Sequence, residues 1–347
     1  MIILQAVKVL VLSVLGFMVA FAFVPLLTKL LDKFGAVKQI RMTGATPVYS
    51  KLHASKIGTQ TMGGVVIWGT VLILALVFAV MAGLFDGAWG YLNFVDRSET
   101  YLPLAAMAIA GILGLIDDIY GVMKVGPSGG GLRVSQKLVI YFLLAVIGAF
   151  WFYYRLNWDM LAIPFAEPIT IGWLYIPLFI FVIVASAFSA NETDGLDGLA
   201  GGVMLFAFLA LTVVAFVLGR YELAAFGGVT IGALLAFLWF NIHPARFFMG
   251  DTGSMSLGIT MGMIAMLTNT TLLLPFFASI LVIESLSVII QMISKKVRGK
   301  KVFLSTPIHH HYEALGWPET KVTMRFWIIS AISATLGLVI FFLSRYI

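Results

Sequence analysis

Long apolar runs separated by short polar segments are the dominant pattern of the chain. Each run has roughly 20 residues, the length that an α-helix needs to cross about 30 Å of hydrocarbon. We predict about ten transmembrane helices, at residues 6–28, 63–83, 102–119, 137–154, 172–189, 200–219, 223–241, 254–268, 271–292 and 326–344. The predicted fold class is therefore an all-α integral membrane protein, in which residues 1–347 form a single polytopic domain.

Composition supports lipid as the main solvent of the chain. Hydrophobic residues make up 61% and charged residues 11%, and the mean hydropathy is +1.03, which excludes an ordinary soluble domain. The first apolar run has a possible cleavage motif at residues 20–22, but it lacks a basic segment typical of signal peptides and continues past that motif. We therefore interpret it as a retained helix. The chain contains no cysteine, which excludes disulfides, thiolate catalysis and Cys-ligated metals.

Lysine and arginine are distributed unevenly between the polar segments. Segments 29–62 and 293–325 are rich in basic residues, whereas 84–101 and 155–171 contain one arginine each. The positive-inside rule places segments 29–62, 120–136 and 293–325 in the cytoplasm and both termini outside. The net charge of +6 is explained by this asymmetry and by contact with the anionic headgroups of the lipid bilayer. No separate basic domain suggests a nucleic-acid partner.

Acidic residues lie near the predicted cytoplasmic ends of two helices. Asp117 and Asp118 end the third run, where a charged pair should face protein or an aqueous cleft. Asn191, Asp194 and Asp197 follow the fifth run at intervals of three, so a helical turn would place them on one face as oxygen ligands. The alternatives are solvated helix ends for the pair and helix capping for the second group.

Two further polar motifs lie in the second half of the chain. Asp251 lies between Gly250 and Gly253 where the eighth run begins, so its carboxylate can meet a cation while backbone N–H groups meet phosphate. An ordinary Asp cap is the alternative. The last basic loop contains three consecutive histidines, His309, His310 and His311. Consecutive residues rarely converge on one metal, so phosphate contact or proton transfer is the functional interpretation, and a solvated loop is the alternative.

Under the predicted topology all these motifs lie on one face of the bilayer, together with Lys56 and Lys137. That coincidence favours one site over several unrelated structural roles. Carboxylates beside lysine and histidine indicate Mg²⁺ and phosphate, since Mg²⁺ prefers oxygen ligands and keeps part of its coordination shell for substrate phosphates.

The same residues carry a resemblance to a known family over nearly the whole chain. Its anchors are Lys56–Gly64, Asp117–Asp118, Asn191–Gly198, Phe248–Ser254, and Pro307–Glu313 with Gly316–Trp317–Pro318. On these segments the chain resembles the phospho-N-acetylmuramoyl-pentapeptide transferases, within the polyprenyl-phosphate N-acetylhexosamine-1-phosphate transferases. The last anchor is the most specific, because relatives that transfer other amino sugars have a different histidine-rich loop.

The resemblance implies a ten-helix enzyme of the bacterial inner membrane whose active site faces the cytoplasm. Such an enzyme transfers phospho-MurNAc-pentapeptide from UDP-MurNAc-pentapeptide to undecaprenyl phosphate, giving lipid I and UMP with Mg²⁺ as cofactor. The implied catalytic residues are Asp117, Asp118, Asp251, His309, His310 and His311, and Asp251 is also the implied metal ligand. The implied substrate-binding residues are Lys56, Thr61, Lys137, Asn191, Asp194, Asp197, Phe248, Gly250 and Gln291, with Phe248 available to stack on uracil.

Three positions depart from the family pattern. Gly121 stands where a lysine usually follows the aspartate pair, which leaves Lys124 or Lys137 to meet phosphate. Gln60 stands where proline is common. Glu192 replaces an apolar residue and is expected to add negative charge beside the nucleotide site.

Two other functions remain open from the sequence. One is transfer of a different sugar phosphate, such as GlcNAc-1-phosphate, to the same lipid. The other is an ion-coupled transporter, but only Glu284 lies clearly within a predicted span, and we expect it to be an inward polar residue of the bundle. The sequence also leaves open a direct or a two-step covalent transfer and the oligomeric state, a homodimer included.

Overall fold

The computed structural model describes residues 1–37, 56, 58–85, 87–95, 98–126 and 130–346. Its helices, numbered in chain order, are α1 (Ile2–Phe34), α2 (Val65–Leu84), α3 (Ala88–Leu92), α4 (Ser98–Val122), α5 (Val134–Phe150), α6 (Tyr175–Thr193), α7 (Leu199–Val217), α8 (Tyr221–Asn241), α9 (Gly250–Leu267), α10 (Leu274–Phe277), α11 (Ser279–Arg298), α12 (Ile308–Ala314) and α13 (Glu319–Tyr346). A short antiparallel hairpin, β1 (Met160–Leu161) and β2 (Ile169–Thr170), lies between α5 and α6. The all-α fold class predicted from the sequence is confirmed.

Eight helices of the described residues are long and apolar enough to cross a membrane. They are α1, α2, α4, α5, α6, α7, α8 and α13, and each overlaps one predicted apolar run. Large apolar side chains on their outer faces, such as Leu76, Ile147 and Phe181, are exposed, as expected where lipid is the solvent. The chain is therefore a multi-pass membrane protein.

The predicted ninth run, 271–292, is not one straight helix. The axis bends by 90° between α10 and α11. The bend is at Ala278, whose backbone leaves helical geometry with φ −120° and ψ 38°. The total of about ten spans stays a prediction, because the α10–α11 pair is bent and α9 is not among the eight helices that are long and apolar enough to cross a membrane.

Helix α9 is surrounded by protein rather than lipid. Its residues from Thr252 to Leu267 are all buried, and it packs against α4 and α6. Glycines allow this close approach: a Cβ at Gly114 of α4 would lie 2.7 Å from Thr252 Cα, and one at Gly258 would lie 2.7 Å from the carbonyl oxygen of Ser186. The helix that carries Asp251 is thereby fixed in the middle of the bundle.

Part of the predicted topology concerns residues that the structure does not describe. Positions 38–55, which supply much of the basic charge of the first predicted cytoplasmic segment, and Ser128 in the second segment lie outside the described residues. The orientation of the bundle stays a prediction.

Candidate active site

Carboxylates from two other segments hold the first turn of α9. Asp118, near the end of α4, accepts the backbone N–H of Asp251 on Oδ1 and that of Thr252 on Oδ2, each at 3.1 Å. Asp194, directly after α6, accepts the N–H of Gly250 at 3.1 Å. The first N–H groups of a helix have no intrahelical partner, and a buried open donor is costly. These two carboxylates therefore supply the cap of α9.

This arrangement changes two expectations about Asp251. The N–H groups beside it were expected to meet phosphate, but Asp118 and Asp194 accept them. Asp251 is also not the cap of its own helix, since its carboxylate oxygens accept hydrogen bonds from Lys137 and Asn191. Asp118 thus has a positioning contact, while a catalytic role for it stays a prediction.

Lys137 lies between two carboxylates that come from different helices. Its Nζ is 2.8 Å from Asp117 Oδ2 and also contacts Asp251 Oδ2. Asp117 is held further by the N–H of Leu132, which donates to Oδ1. Its side chain is 3% exposed, whereas those of Lys137 and Asp251 are 15% and 19% exposed. We call Asp117, Lys137, Asn191 and Asp251 the Lys137 cluster.

Asn191 completes this cluster from the last turn of α6. Its Nδ2 donates to Asp251 Oδ1 and lies 3.1 Å from Ser254 Oγ. The expected row of Asn191, Asp194 and Asp197 on one helical face is wrong, because α6 ends at Thr193. The three residues instead contact separate partners, and Asp197 belongs to a second cluster.

That second group, the Lys56 cluster, consists of Lys56, Asp197, His243 and Glu319. Lys56 Nζ is 2.7 Å from Asp197 Oδ1 and 2.5 Å from Glu319 Oε1. His243 Nδ1 is 3.0 Å from Asp197 Oδ2. These are side chains from four separate parts of the chain, so this cluster exists only in the assembled bundle.

The pKa of Asp197 is lowered from its usual value. Burial acts to raise it, but hydrogen bonding and charge attraction from Lys56, with smaller contributions from the Ala245 N–H and His243, outweigh burial. Asp197 is therefore an anion at neutral pH. It can hold the lysine and orient His243.

A strand-like contact joins the two clusters. The N–H of Phe248 donates to the Gln60 carbonyl at 2.9 Å, and the N–H of Gly63 donates to the Phe248 carbonyl at 2.8 Å. The Lys56 ammonium lies 5.6 Å from the centre of the Phe248 ring, whose exposure is 9%. Phe248 is three residues before Asp251, so the segment that contacts Lys56 leads directly into the Lys137 cluster.

The three histidines contact three different groups. His309 Nδ1 lies 3.0 Å from Glu284 Oε2, with both side chains fully buried, and His310 Nδ1 lies 2.7 Å from Glu313 Oε2. The third, His311, accepts the N–H of Leu304 at 3.2 Å. Successive residues of a helix point in different directions, which explains why the run does not converge. Among the described residues, the group with three ligand atoms close enough for a metal ion is instead Asp197, His243 and Glu319.

Gln291 and Thr61 have structural contacts. The Gln291 oxygen accepts the N–H groups of Val302 at 2.9 Å and Phe303 at 3.1 Å, and its Nε2 donates to the Phe303 carbonyl at 3.0 Å. It therefore clamps the loop before the histidines. Thr61 is buried, and its N–H donates to the Ala36 carbonyl at 3.0 Å. Substrate contact by either residue stays a prediction.

The three positions that depart from the family pattern have different surroundings. Glu192 accepts a hydrogen bond of 2.6 Å from Ser285 and so packs between α6 and α11. A Cβ at Gly121 would meet nothing within 4 Å, and Lys137 occupies the position between the carboxylates. Gln60 donates from its side chain to Asp32.

Sequence reasoning missed several residues of these clusters. His243 and Glu319 were not candidates, because nothing in their local sequence indicates that distant segments meet. Glu284 did give a signal, a carboxylate within an apolar run, but its histidine partner follows 25 residues later. Glu313 ends the Pro307–Glu313 motif, and the sequence predicted no role for it.

The chain is similar to known proteins over most of its length. Residues 100–269 match the model of the family described as Glycosyl transferase family 4. A phospho-N-acetylmuramoyl-pentapeptide-transferase of Anoxybacillus flavithermus is 40% identical over 319 residues, covering 92% of both chains. Proteins of the same name from Geobacillus sp. and Bacillus subtilis are 39% and 37% identical, over 92% and 94% of this chain and 92% and 95% of their own lengths. The chain belongs to the phospho-N-acetylmuramoyl-pentapeptide transferase family.

Proposed function

We propose that the protein transfers phospho-MurNAc-pentapeptide from UDP-MurNAc-pentapeptide to undecaprenyl phosphate, forming lipid I and UMP for peptidoglycan synthesis. The observation that carries this proposal is the Lys137 cluster, in which Asp117, Lys137 and Asp251 from three helices meet at the start of a buried helix. Carboxylates and an ammonium at one end of a membrane bundle suit a reaction in which a lipid phosphate meets a soluble nucleotide.

The donor atoms of the Lys137 cluster fit Mg²⁺. Asp117 and Asp251 offer carboxylate oxygens, which are the ligands that a hard dication prefers, and the Asn191 amide N–H holds the Asp251 carboxylate in place. The group of Asp197, His243 and Glu319 fits less well, since one of its three ligands is an imidazole and Mg²⁺ prefers oxygen. We therefore assign the metal to Asp251, with Asp117 beside it. Bound Mg²⁺ would stabilise negative charge on the phosphate oxygens.

The residues of the Lys137 cluster have different roles in the transfer. In the reaction an oxygen of the lipid phosphate bonds to the sugar-bearing phosphorus, and the bond from that phosphorus to the bridging oxygen of UMP breaks. Asp117 is fixed by Leu132 and Lys137, so it can position the acceptor phosphate or remove its proton. Lys137 reduces the repulsion between the two anionic substrates, and α9 keeps Asp251 in place.

The nucleotide end of the donor is assigned to the Lys56 cluster. Phe248 gives an aromatic ring beside a polar group with no excess positive charge, which suits a neutral ring with polar edges better than a diphosphate. His310, beside Glu313, is assigned to phosphate contact or proton transfer. The fully buried His309, whose ring centre lies 4.0 Å from that of His310, is assigned to positioning it.

We propose the bacterial inner membrane as the location, with both clusters facing the cytoplasm, because the basic segment 293–325 adjoins the histidines. A homodimer is compatible with this arrangement. Single cysteines report the orientation directly, since the chain contains none. Labelling of Ser128→Cys by an impermeant reagent in intact cells would reverse the assignment.

The function is tested with purified protein, UDP-MurNAc-pentapeptide, undecaprenyl phosphate and Mg²⁺. We expect release of UMP and a lipid-linked sugar in detergent, without any ion gradient. UDP-GlcNAc in a parallel reaction separates the proposed donor from that of related transferases. Turnover of UDP-GlcNAc alone, or no turnover with either donor, contradicts the proposal.

A further inference from the structure

Glu319 has no assigned role, although it contacts the other three members of the Lys56 cluster. It begins α13 and directly follows Gly316–Trp317–Pro318, the segment with the most specific resemblance. Its Oε1 is 2.5 Å from Lys56 Nζ and accepts the backbone N–H of Asp197 at 2.5 Å. Its Oε2 is 3.6 Å from His243 Nδ1. One carboxylate thus connects the last helix to the lysine and to the turn between α6 and α7.

The start of α13 is itself firmly placed. The Trp317 ring stacks on Tyr312 with ring centres 4.8 Å apart, and the Arg325 guanidinium lies 4.4 Å from the Trp317 ring centre. Thr323 Oγ1 donates to the Asp197 carbonyl at 3.2 Å. Packing and hydrogen bonds therefore fix the backbone that carries Glu319 from both sides.

A lysine side chain is flexible, so it holds one position only when neighbouring groups such as carboxylates anchor its ammonium. Its stem has four rotatable bonds, and holding it in one conformation costs rotamer entropy. Asp197 and Glu319 together place the Lys56 ammonium 5.6 Å from the Phe248 ring centre. The side chains of Lys56 and Glu319 are each 12% exposed, so the pair is shielded from water and less weakened by solvent than a surface pair.

A structural role alone explains these contacts less well. A residue that only began α13 would bond within that helix, whereas the Glu319 carboxylate contacts Lys56, Asp197 and His243 on other segments. Only one of these, the Asp197 N–H, is a backbone group. The other two are polar side chains that can meet a substrate.

We propose that Glu319 is a positioning residue of the nucleotide subsite and acts through Lys56. This inference rests on the proposed function and deepens it. Without Glu319 the lysine keeps one carboxylate anchor, and the Asp197 turn loses an acceptor for its N–H. The affinity for the nucleotide donor should then fall, while the chemistry at the Lys137 cluster continues.

The test is a double-mutant cycle on the full-length protein. Glu319→Ala, Lys56→Ala and the double variant are compared with the wild type for kcat, for KM of UDP-MurNAc-pentapeptide and for KM of undecaprenyl phosphate. Glu319→Gln is a conservative variant that keeps an acceptor oxygen and removes the charge. The control is Glu99→Ala, which breaks the 2.7 Å ion pair of Glu99 with Arg220 at the opposite end of α4 from Asp117.

We expect Glu319→Ala to raise the KM for the nucleotide about tenfold, as expected for loss of a hydrogen bond to a charged group. The effect of Glu319→Gln should be smaller. The effect of the double variant should be smaller than the product of the two single effects, because Glu319 acts chiefly through that lysine. The KM for the lipid and the activity of Glu99→Ala should stay unchanged.

Two outcomes would overturn the role of Glu319 while leaving the proposed function intact. One is that the wild type turns the nucleotide over, but the effects of Glu319→Ala and Lys56→Ala on its KM multiply in the double variant. The other is an equal loss of activity toward both substrates that follows a lowered melting temperature. No turnover of the nucleotide by the wild type would reject the proposed function and this role with it.

Discussion

Replacing Asp251 with asparagine removes one negative charge from the Lys137 cluster and hardly changes its shape. The start of α9 should survive, because Asp118 and Asp194 cap it and Asp251 does not. Lys137 also keeps its 2.8 Å contact with Asp117. We therefore expect a stability change of about 1 kcal/mol or less, since one partner of the ammonium remains.

The catalytic effect of Asp251→Asn should be much larger. Removing a group that stabilises developing charge in a transition state typically raises the activation free energy by roughly 3 to 4 kcal/mol. If Asp251 holds Mg²⁺, kcat of Asp251→Asn should therefore drop roughly 100- to 1,000-fold. The residual activity should need more Mg²⁺ than the wild type does.

The assay is UMP release as a function of Mg²⁺ concentration for the wild type and Asp251→Asn, with thermal unfolding measured on the same samples. Asp118→Asn is the matched comparison. Its new amide faces the N–H groups of α9, so it should lower stability by about 1 to 3 kcal/mol and leave the Mg²⁺ requirement of the remaining activity unchanged. Near-normal turnover by Asp251→Asn with an unaltered Mg²⁺ requirement would refute the metal role.

Three further predictions concern the other parts of the site. His310→Ala should lower turnover while the protein stays folded. Stoichiometric zinc in the purified wild type, lost together with the fold in this variant, would contradict this. Gly195→Ala should lower kcat at least tenfold, because its Cβ would overlap the His309 ring, whereas Gly83→Ala meets nothing within 4 Å and should behave as wild type in the same assay. The stability that Asp197 contributes should be constant above its usual pKa of about 3.9 and be lost as pH falls through its lowered pKa in the folded state. Melting temperatures of the wild type and Asp197→Asn from pH 4 to 8 test this, and a difference that already shrinks between pH 7 and 5 would contradict it.

The sequence predicted the fold class well because transmembrane helices are local features. A run such as 200–219 must cross the bilayer as a helix, since lipid offers no partners for its backbone. The bend at Ala278 was missed, because the apolar character of 271–292 is the same in a straight and in a broken helix. Hydropathy indicates whether a segment lies in lipid or in water, but not whether its helix is straight or bent.

The site was predicted in part. Asp117, Asn191 and Asp251 were all candidates, and the structure brings them together around Lys137. Their individual contacts were not predictable, since they depend on where α6 ends and on how closely the glycines let α9 approach. Glu319 was missed for the same reason. A carboxylate in a polar loop looks alike whether it meets water or a lysine far away in the sequence.

The burial of α9 has a consequence for how the protein is made. This helix is not among the segments apolar enough to remain in lipid alone, and its first N–H groups depend on acceptors from α4 and from the turn after α6. During synthesis both of those segments precede it, so α9 enters a bundle that already offers its partners. An incompletely packed chain therefore leaves Asp251 on a helix that neither lipid nor protein stabilises, and such intermediates should be recognised by membrane proteases and should have no activity.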